Sequence, residues 1–453
     1  MRTWCSKKVT WGMCLLAAVL HAAPAAADPV PFPRAPIANR ATFSGRNVRA
    51  LLVHDGTLYV GGSFRVTQNG VTRNNLAAFD LNGNLRPEFA PNPNGIVRAL
   101  ATDGNYLFVG GEFTRLALKG RLAAVDLHTG AVKRDFTAHI AGVLDVEART
   151  GVRALAVVND TTVDPPLQRL IVGGNFSRVN DVVDNRSGLC ALDIHTGYLE
   201  PQLFNQGVEG GPVDALHATT DTVFVGGAFT KIQNRSASLA ALNFKGVLQS
   251  GSFSTSSQPV LALDSDPAGG RLFAAVGGSG NRAFAFRMTG SRRGSQLWQG
   301  PRYDGASHNV GGDVQTVHYF GGNLYFGFHD GMFVEPDIYK MGALDAETGQ
   351  LEVDRANQTA VCSGVEGQRA PCWLPELDST TGAQGFFGLW TITHYVDPVT
   401  NLATLIIGGE FTQVSGVSSA RRLALFAEPA PEPPPPPIDP TPPPATGEQS
   451  GAP

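Results

Sequence analysis

Charge is scarce in this chain. Only 16% of its 453 residues are Asp, Glu, Lys or Arg, and the formal net charge is −4. Neutralising a phosphate backbone needs a clustered excess of Lys and Arg, so nucleic acid is excluded as a partner. Long apolar runs are also missing. Past the first 27 residues no stretch approaches twenty apolar residues, so no transmembrane segment is expected. There is no Gly-rich phosphate loop, no Gly-x-Ser-x-Gly elbow and no His-Glu-x-x-His helix, and with them go the commonest local signatures of nucleotide, acyl and zinc-protease chemistry. Five cysteines, with no closely spaced pairs of thiolates, leave no basis for a cysteine metal site. Glycine (53) and proline (31) are plentiful, which disfavours a helical bundle and suits an all-β protein rich in tight turns.

The ends of the chain differ from its middle. Residues 1–27 combine a basic start (Arg2, Lys7, Lys8), the mostly apolar stretch Val9 to Ala23, and Ala25 and Ala27 ahead of Asp28. This is the pattern of a cleaved signal peptide, so a secreted, extracellular or periplasmic protein is expected. Removal of those three basic residues takes the net charge from −4 to −7. Residues 28–36 carry four prolines and read as a Pro-rich leader; residues 428–453 read as a Pro-rich, disordered tail. Loss of Cys5 and Cys14 with the signal leaves three cysteines. Cys362 and Cys372 flank a short polar segment inside an insertion at about 352–388, and a disulfide between them is expected in an oxidising compartment. Cys190, in Leu189-Cys190-Ala191-Leu192, reads as a small buried apolar group.

Between the two ends one unit recurs seven times. It opens with Val-x-Ala-Leu, passes a turn, continues in a strand ending Gly-Gly-x-Phe, and closes with a second apolar run and an Asp-to-Gly turn. The first unit has Val48-Arg49-Ala50-Leu51, Val60-Gly61-Gly62-Ser63-Phe64 and Leu76-Ala77-Ala78-Phe79-Asp80. Units two to four follow with Val97, Val152 and Val213 at their starts, and a seventh returns to type at Ile407-Gly408-Gly409-Glu410-Phe411. The fifth (from Val260) and sixth (from Val314) are degenerate; the fifth has Val276-Gly277-Gly278 without the following Phe. Start-to-start intervals run from 47 residues (Val213 to Val260) to 76 (Val314 to Trp390). Short strands at such a period, separated by Gly, Asn and Asp turns, mark the blades of a propeller. The fold expected is all-β: a seven-bladed β-propeller over residues 37–427. The seventh unit lacks a fourth strand, and the unassigned stretch Ile37 to Arg46 is expected to supply it, closing the ring and removing two open edges. Acids in turns such as Asp126 to Gly130 are expected to cap those turns with Asx-type bonds.

The repeated Val-x-Ala-Leu, Val-Gly-Gly-x-Phe and Leu-Ala-Ala-Phe-Asp pattern resembles the delta-sixty repeat propellers of secreted bacterial proteins. The resemblance spans residues 47 to about 427 and implies a propeller fold and a surface or extracellular location. It implies no catalytic residues.

Alignment of the units exposes two columns with chemistry. Just after the Ala-Leu pair stand Leu52, Ala101, Ala156, His217, Asp264, His318 and His394. Imidazoles and a carboxylate on four consecutive blades would suit a divalent metal ion, or general acid–base work by His318 and His394; alternatively they are packing residues. No other cofactor is expected. One residue into each unit stand Arg49, Arg98 and Arg153, an arc able to bind a carboxylate, a sulfate or an acidic sugar, or else to pair with neighbouring acids. Trp298, Tyr303, Trp373, Phe386, Phe387 and Trp390 gather in the irregular region, where exposed rings on loops suit a glycan or a protein partner. The expected function is thus non-catalytic: a monomeric binding protein recognising a glycan, a cell-envelope component or a protein. The alternative is a polysaccharide-active hydrolase or lyase using the His/Asp column.

Overall fold

The computed structural model describes residues 32–430 apart from 34, 38–39, 117–119, 147–148, 183–185, 256, 301–312, 330–339, 351–374, 376 and 379–387. The signal segment, the tail beyond residue 430, Tyr303, Cys362, Cys372, Trp373, Phe386 and Phe387 lie outside the described residues.

The described chain is all-β, with one three-residue 3-10 turn at Gly278–Gly280 and no α-helix among the described residues. Among the described residues are ten antiparallel sheets: seven main ones that follow one another along the sequence, and three small ones of two-residue strands. The opening strands of the seven are Thr42–His54, Val97–Thr102, Gly151–Asp160, Val213–Ala218, Val260–Asp266, Val314–Phe320 and Leu389–Val396. Each pairs with the strand that follows it, and each of those pairs with a third. The fifth sheet has a full fourth strand, Gln296–Gln299. In the first four sheets the fourth position is held by one bridge, such as Leu85 to Phe79 or Val132 to Val125. The opening strand of every sheet packs against that of the next, and that of the seventh packs against that of the first.

Physical reasons for the repeat are visible in the register. The second glycine of the pair faces its own opening strand: a Cβ on Gly111, Gly174 or Gly227 would run into the backbone oxygen of Ile96, Gly151 or Pro212. The first glycine faces the next sheet. A Cβ on Gly61 or Gly110 would lie 2.5 Å from Cγ1 of Val97 or Val152, and one on Gly173 or Gly226 would lie 2.6 Å from Cγ1 of Val213 or Val260. Gly327 meets Leu389 in the same way, and Gly408 meets Val48. Glycine is thus kept because a neighbouring sheet occupies the space of its side chain. The Phe of Gly-Gly-x-Phe (Phe64, Phe113, Phe176, Phe229, Phe411) is buried in each regular unit.

Two parts of the register differ from the sequence expectation. In the fifth sheet Ala262 pairs with Ala275 and Val260 with Val276, so alanine and valine take the two glycine positions. Gly277 and Gly278 lie past the strand, and Gly278 adopts a left-handed φ of +59° entering the 3-10 turn. The expected closing segment is also divided. Ile37 does bridge Leu425 at the outer edge of the seventh sheet, with its N–H donating to the Leu425 carbonyl at 2.8 Å. From Thr42 onward, however, the chain belongs to the first sheet, where Phe43 pairs with Val66. The reason is packing: Phe43 stacks among Phe64 and Phe79 within one core that also includes Ile406, Leu423 and Leu425 of the seventh sheet. The leader likewise contributes a buried ring, Phe32, which packs on Phe320 and Tyr325.

Smaller expectations hold. Asp126 accepts hydrogen bonds from the N–H groups of His128 and Thr129 and from the Thr129 hydroxyl, and Asp193 and Asp345 cap their turns identically. Cys190 is fully buried as a free thiol, and burial pushes its pKa up to about 12.

The glycine column generates a prediction. Gly173→Ala forces a methyl into Val213 and should cost about 1–3 kcal/mol, the usual penalty of an overpacked core. Adding Val213→Ala should recover part of the loss, as read by thermal unfolding. If Gly173→Ala leaves the Tm unchanged, the two sheets do not approach as described.

Candidate functional site

The opening strands carry the chemistry at two levels. The first is a β-bulge, placed identically in all seven strands. Register shifts fall between Val48 and Ala50, Val97 and Ala99, Val152 and Ala154, Val213 and Ala215, Val260 and Ala262, Val314 and Thr316, and Leu389 and Thr391. A bulge leaves one extra residue unpaired and re-aims its side chain. The seven bulge residues are Arg49, Arg98, Arg153, Asp214, Leu261, Gln315 and Trp390. All are half-buried, whereas the residue before each is buried. The seventh unit therefore opens at Leu389, one residue earlier than the sequence alignment places it, and Trp390 joins the arginine column.

Neighbouring bulge residues touch. The Arg49 guanidinium lies 3.7 Å over the Trp390 ring. Arg153 Nη1 donates to Asp214 Oδ1 at 2.5 Å. Arg98 takes its partner from its own sheet, with both Nε and Nη2 at 2.6 Å from Glu112 Oε1. Burial pushes the Asp214 carboxyl up in spite of Arg153 beside it. Burial, and next the charge of Arg98, pull Arg49 down to about 9. Trp390 also stacks with His329 at 5.2 Å, and His329 Nε2 stands 3.5 Å from Asp313 Oδ2. Trp298, by contrast, is a core residue: it is buried, and its Nε1 donates to the Ala346 carbonyl at 3.1 Å.

At the second level the expected His/Asp column meets as a chain across sheets four to seven. His318 Nδ1 is 3.0 Å from Asp264 Oδ2, and His318 Nε2 is 2.7 Å from His394 Nδ1. On the other side His217 Nδ1 is 3.8 Å from Asp264 Oδ1, beyond hydrogen-bonding distance, while His217 Nε2 is 2.8 Å from Ser265 Oγ. The backbone N–H groups of Tyr319 and Ser265 donate to the two Asp264 oxygens. Register again shifts the seventh member: Thr393, opposite Ile406, matches Leu52 opposite Tyr59, and His394 lies one residue beyond. Its ring stacks on Phe320 at 4.2 Å. Among the described residues no group of three or more His, Cys, Asp or Glu is placed to hold a metal ion.

Burial alone would raise Asp264, but the hydrogen bond and charge of His318 hold its carboxyl below the usual range. Burial lowers His217, and burial together with the neighbouring His318 lowers His394 to about 4. His318 thus links the carboxylate to His394: its Nδ1 faces Asp264 and its Nε2 is hydrogen-bonded to His394 Nδ1, so the three side chains form one continuous hydrogen-bonded chain. Ser265, which sequence reasoning missed, follows Asp264 directly but faces the preceding sheet, and strand alternation carries that signal. Glu112 was also legible, because unit two alone pairs an arginine at the second position with an acid inside Gly-Gly-x-Phe.

Comparison with known proteins adds the following. Residues 54–89 match the family model described as a domain of unknown function (DUF5122) beta-propeller. Among solved structures the chain is similar to the computationally designed Ika8 protein, at 11% identity and a TM-score of 0.44, covering 87% of this chain and 100% of that one. It is also similar to the extracellular domain of BT4673 from B. thetaiotaomicron, at 12% identity and a TM-score of 0.44, covering 88% of this chain and 39% of that one. No curated protein matches. No helix among the described residues is long and apolar enough to cross a membrane.

The depressed pKa of His394 has a consequence for stability. An unfolded histidine takes its proton near pH 6.5, whereas the folded one resists until about 4. Between those values the unfolded state binds more protons, so stability should fall as pH drops from 6.5 towards 4. His394→Gln should flatten that slope in thermal unfolding. An identical slope in the variant would show that His394 is not held neutral.

Proposed function

We propose that the chain is a seven-bladed β-propeller of the delta-sixty repeat type, closed into a ring, that acts outside the cytoplasm as a monomeric, non-catalytic binding module. Its recognition surface is the ring of bulge residues at one mouth of the central channel, bordered by the insertion at about 352–388 with Trp373, Phe386 and Phe387 and a Cys362–Cys372 disulfide. The partner is a glycan, a cell-envelope component or a protein. The observation that carries this reading is the repeated bulge. Packing dictates small or apolar residues before and after it in every unit, yet the bulge position holds Arg, Asp, Leu, Gln and Trp. A position freed from packing and re-aimed seven times around one ring supports a role in contact with something outside the fold. The contact of Val48 with Gly408 and the bridge from Ile37 to Leu425 support closure.

A second reading, a polysaccharide-active hydrolase or lyase, draws on the hydrogen-bonded chain Asp264–His318–His394. Both readings can be tested together. Retention of the mature protein on a panel of neutral and acidic glycans and on envelope preparations, without release of reducing ends or unsaturated products, is the expected result. Gln315→Ala combined with Leu261→Ala should weaken retention while the Tm holds. Retention unaffected by substitution at any of the seven bulges would defeat the binding surface, and product release abolished by His394→Gln would establish the second reading instead.

A further inference from the structure

We infer that Arg49, seated on Trp390, is a receptor for a single oxyanion, the carboxylate or sulfate of an acidic sugar; this rests on the reading of the bulge ring as the recognition surface. The three bulge arginines are not equivalent. Arg98 is bound by Glu112 and Arg153 by Asp214. Arg49 has no hydrogen bond or ion pair among the described residues; its guanidinium lies against the Trp390 face. The nearby acid Glu410 is turned to Asn47, whose Nδ2 stands 3.5 Å from Glu410 Oε2. Glu410 and Glu112 favour the Arg49 charge from a distance, while Arg98 and Arg153 oppose it.

A half-buried guanidinium with unspent donors is costly to hold, because desolvation is not offset by bonds. Stacking covers its face and leaves its N–H edge, the part that forks onto a carboxylate or sulfate. Arg98 and Arg153 on the next two bulges each carry an acid against them, so Arg49 is the bulge guanidinium left for an external anion. Beneath it, the Trp390 Nε1 is a buried donor without a hydrogen-bond partner among the described residues. With one of the three described bulge arginines lacking an acid, on a net-negative chain, the arc fits a ligand with isolated charges and not a densely charged polyanion.

The experiment is a titration of the full mature protein with trigalacturonate, inorganic sulfate and maltotriose, followed by tryptophan fluorescence and calorimetry. Trigalacturonate, sulfate or both should bind, and maltotriose should not; which of the two anions binds separates a carboxylate site from a sulfate site. Arg49→Gln should weaken anion binding at least tenfold, Arg49→Lys by less, and Arg98→Gln less than Arg49→Gln. Equal binding of maltotriose, or undiminished anion binding by a folded Arg49→Gln variant, would overturn the inference. Binding of neutral glycans through the bulge ring with no anion response would overturn it while leaving the binding-module reading in place. Failure of every glycan, envelope preparation and anion to bind would overturn both.

Discussion

Each sheet sits so close to the next that the first glycine of one sheet leaves no room for a side chain beside the opening Val or Leu of its neighbour. The remaining features of the fold depend on that approach. It makes Val-Gly-Gly the most persistent motif in the sequence, because a methyl at that glycine would run into the opening Val or Leu side chain of the next sheet. It brings consecutive opening strands into contact, which is how residues from four different units, His217, Asp264, His318 and His394, reach one another. The fifth sheet shows the tolerance of the arrangement: Ala275 and Val276 stand where most sheets have glycines, and among the described residues that sheet alone has a complete fourth strand.

The bulge recurs in all seven opening strands, including the fifth and sixth, where Val276 and Phe328 stand in place of the second glycine. Its extra residue is pushed out of the ladder, which yields seven positions where side chains vary. Most polar groups near them are settled by one another. Arg98 and Arg153 have acids, and His318 lies between Asp264 and His394. Arg49 is the exception, and a flat aromatic ring is its substitute for a counter-ion.

Much of the fold was legible in the sequence because its causes are local and repeated. The strands, the Asx-capped turns, the buried Phe of Gly-Gly-x-Phe and the burial of Cys190 all follow from short patterns. What was not legible is register. Trp390 looks like an opening apolar residue, yet Leu389 takes that place, packed against Gly327 and paired with Gly409. Gly277-Gly278 imitates the glycine pair two residues late, because a turn glycine and a packing glycine are the same letter. Ile37 and Phe43 lie six positions apart and went together on paper, yet they serve different sheets. The pairing of Arg153 with Asp214 crosses from one unit to the next, and no spacing within a unit encodes it. Trp373, Phe386 and Phe387 remain sequence-based expectations.

Closure of the ring is the claim on which the recognition surface rests, and methyl NMR tests it most directly. In a sample with labelled valine methyls and glycine Hα, Val97 should show a cross-relaxation peak to Gly61, and Val213 one to Gly173. The account predicts a peak of the same strength between Val48 and Gly408. Its absence, with the others present, would mean that the seven sheets form an open array and that the bulge residues do not encircle a common mouth.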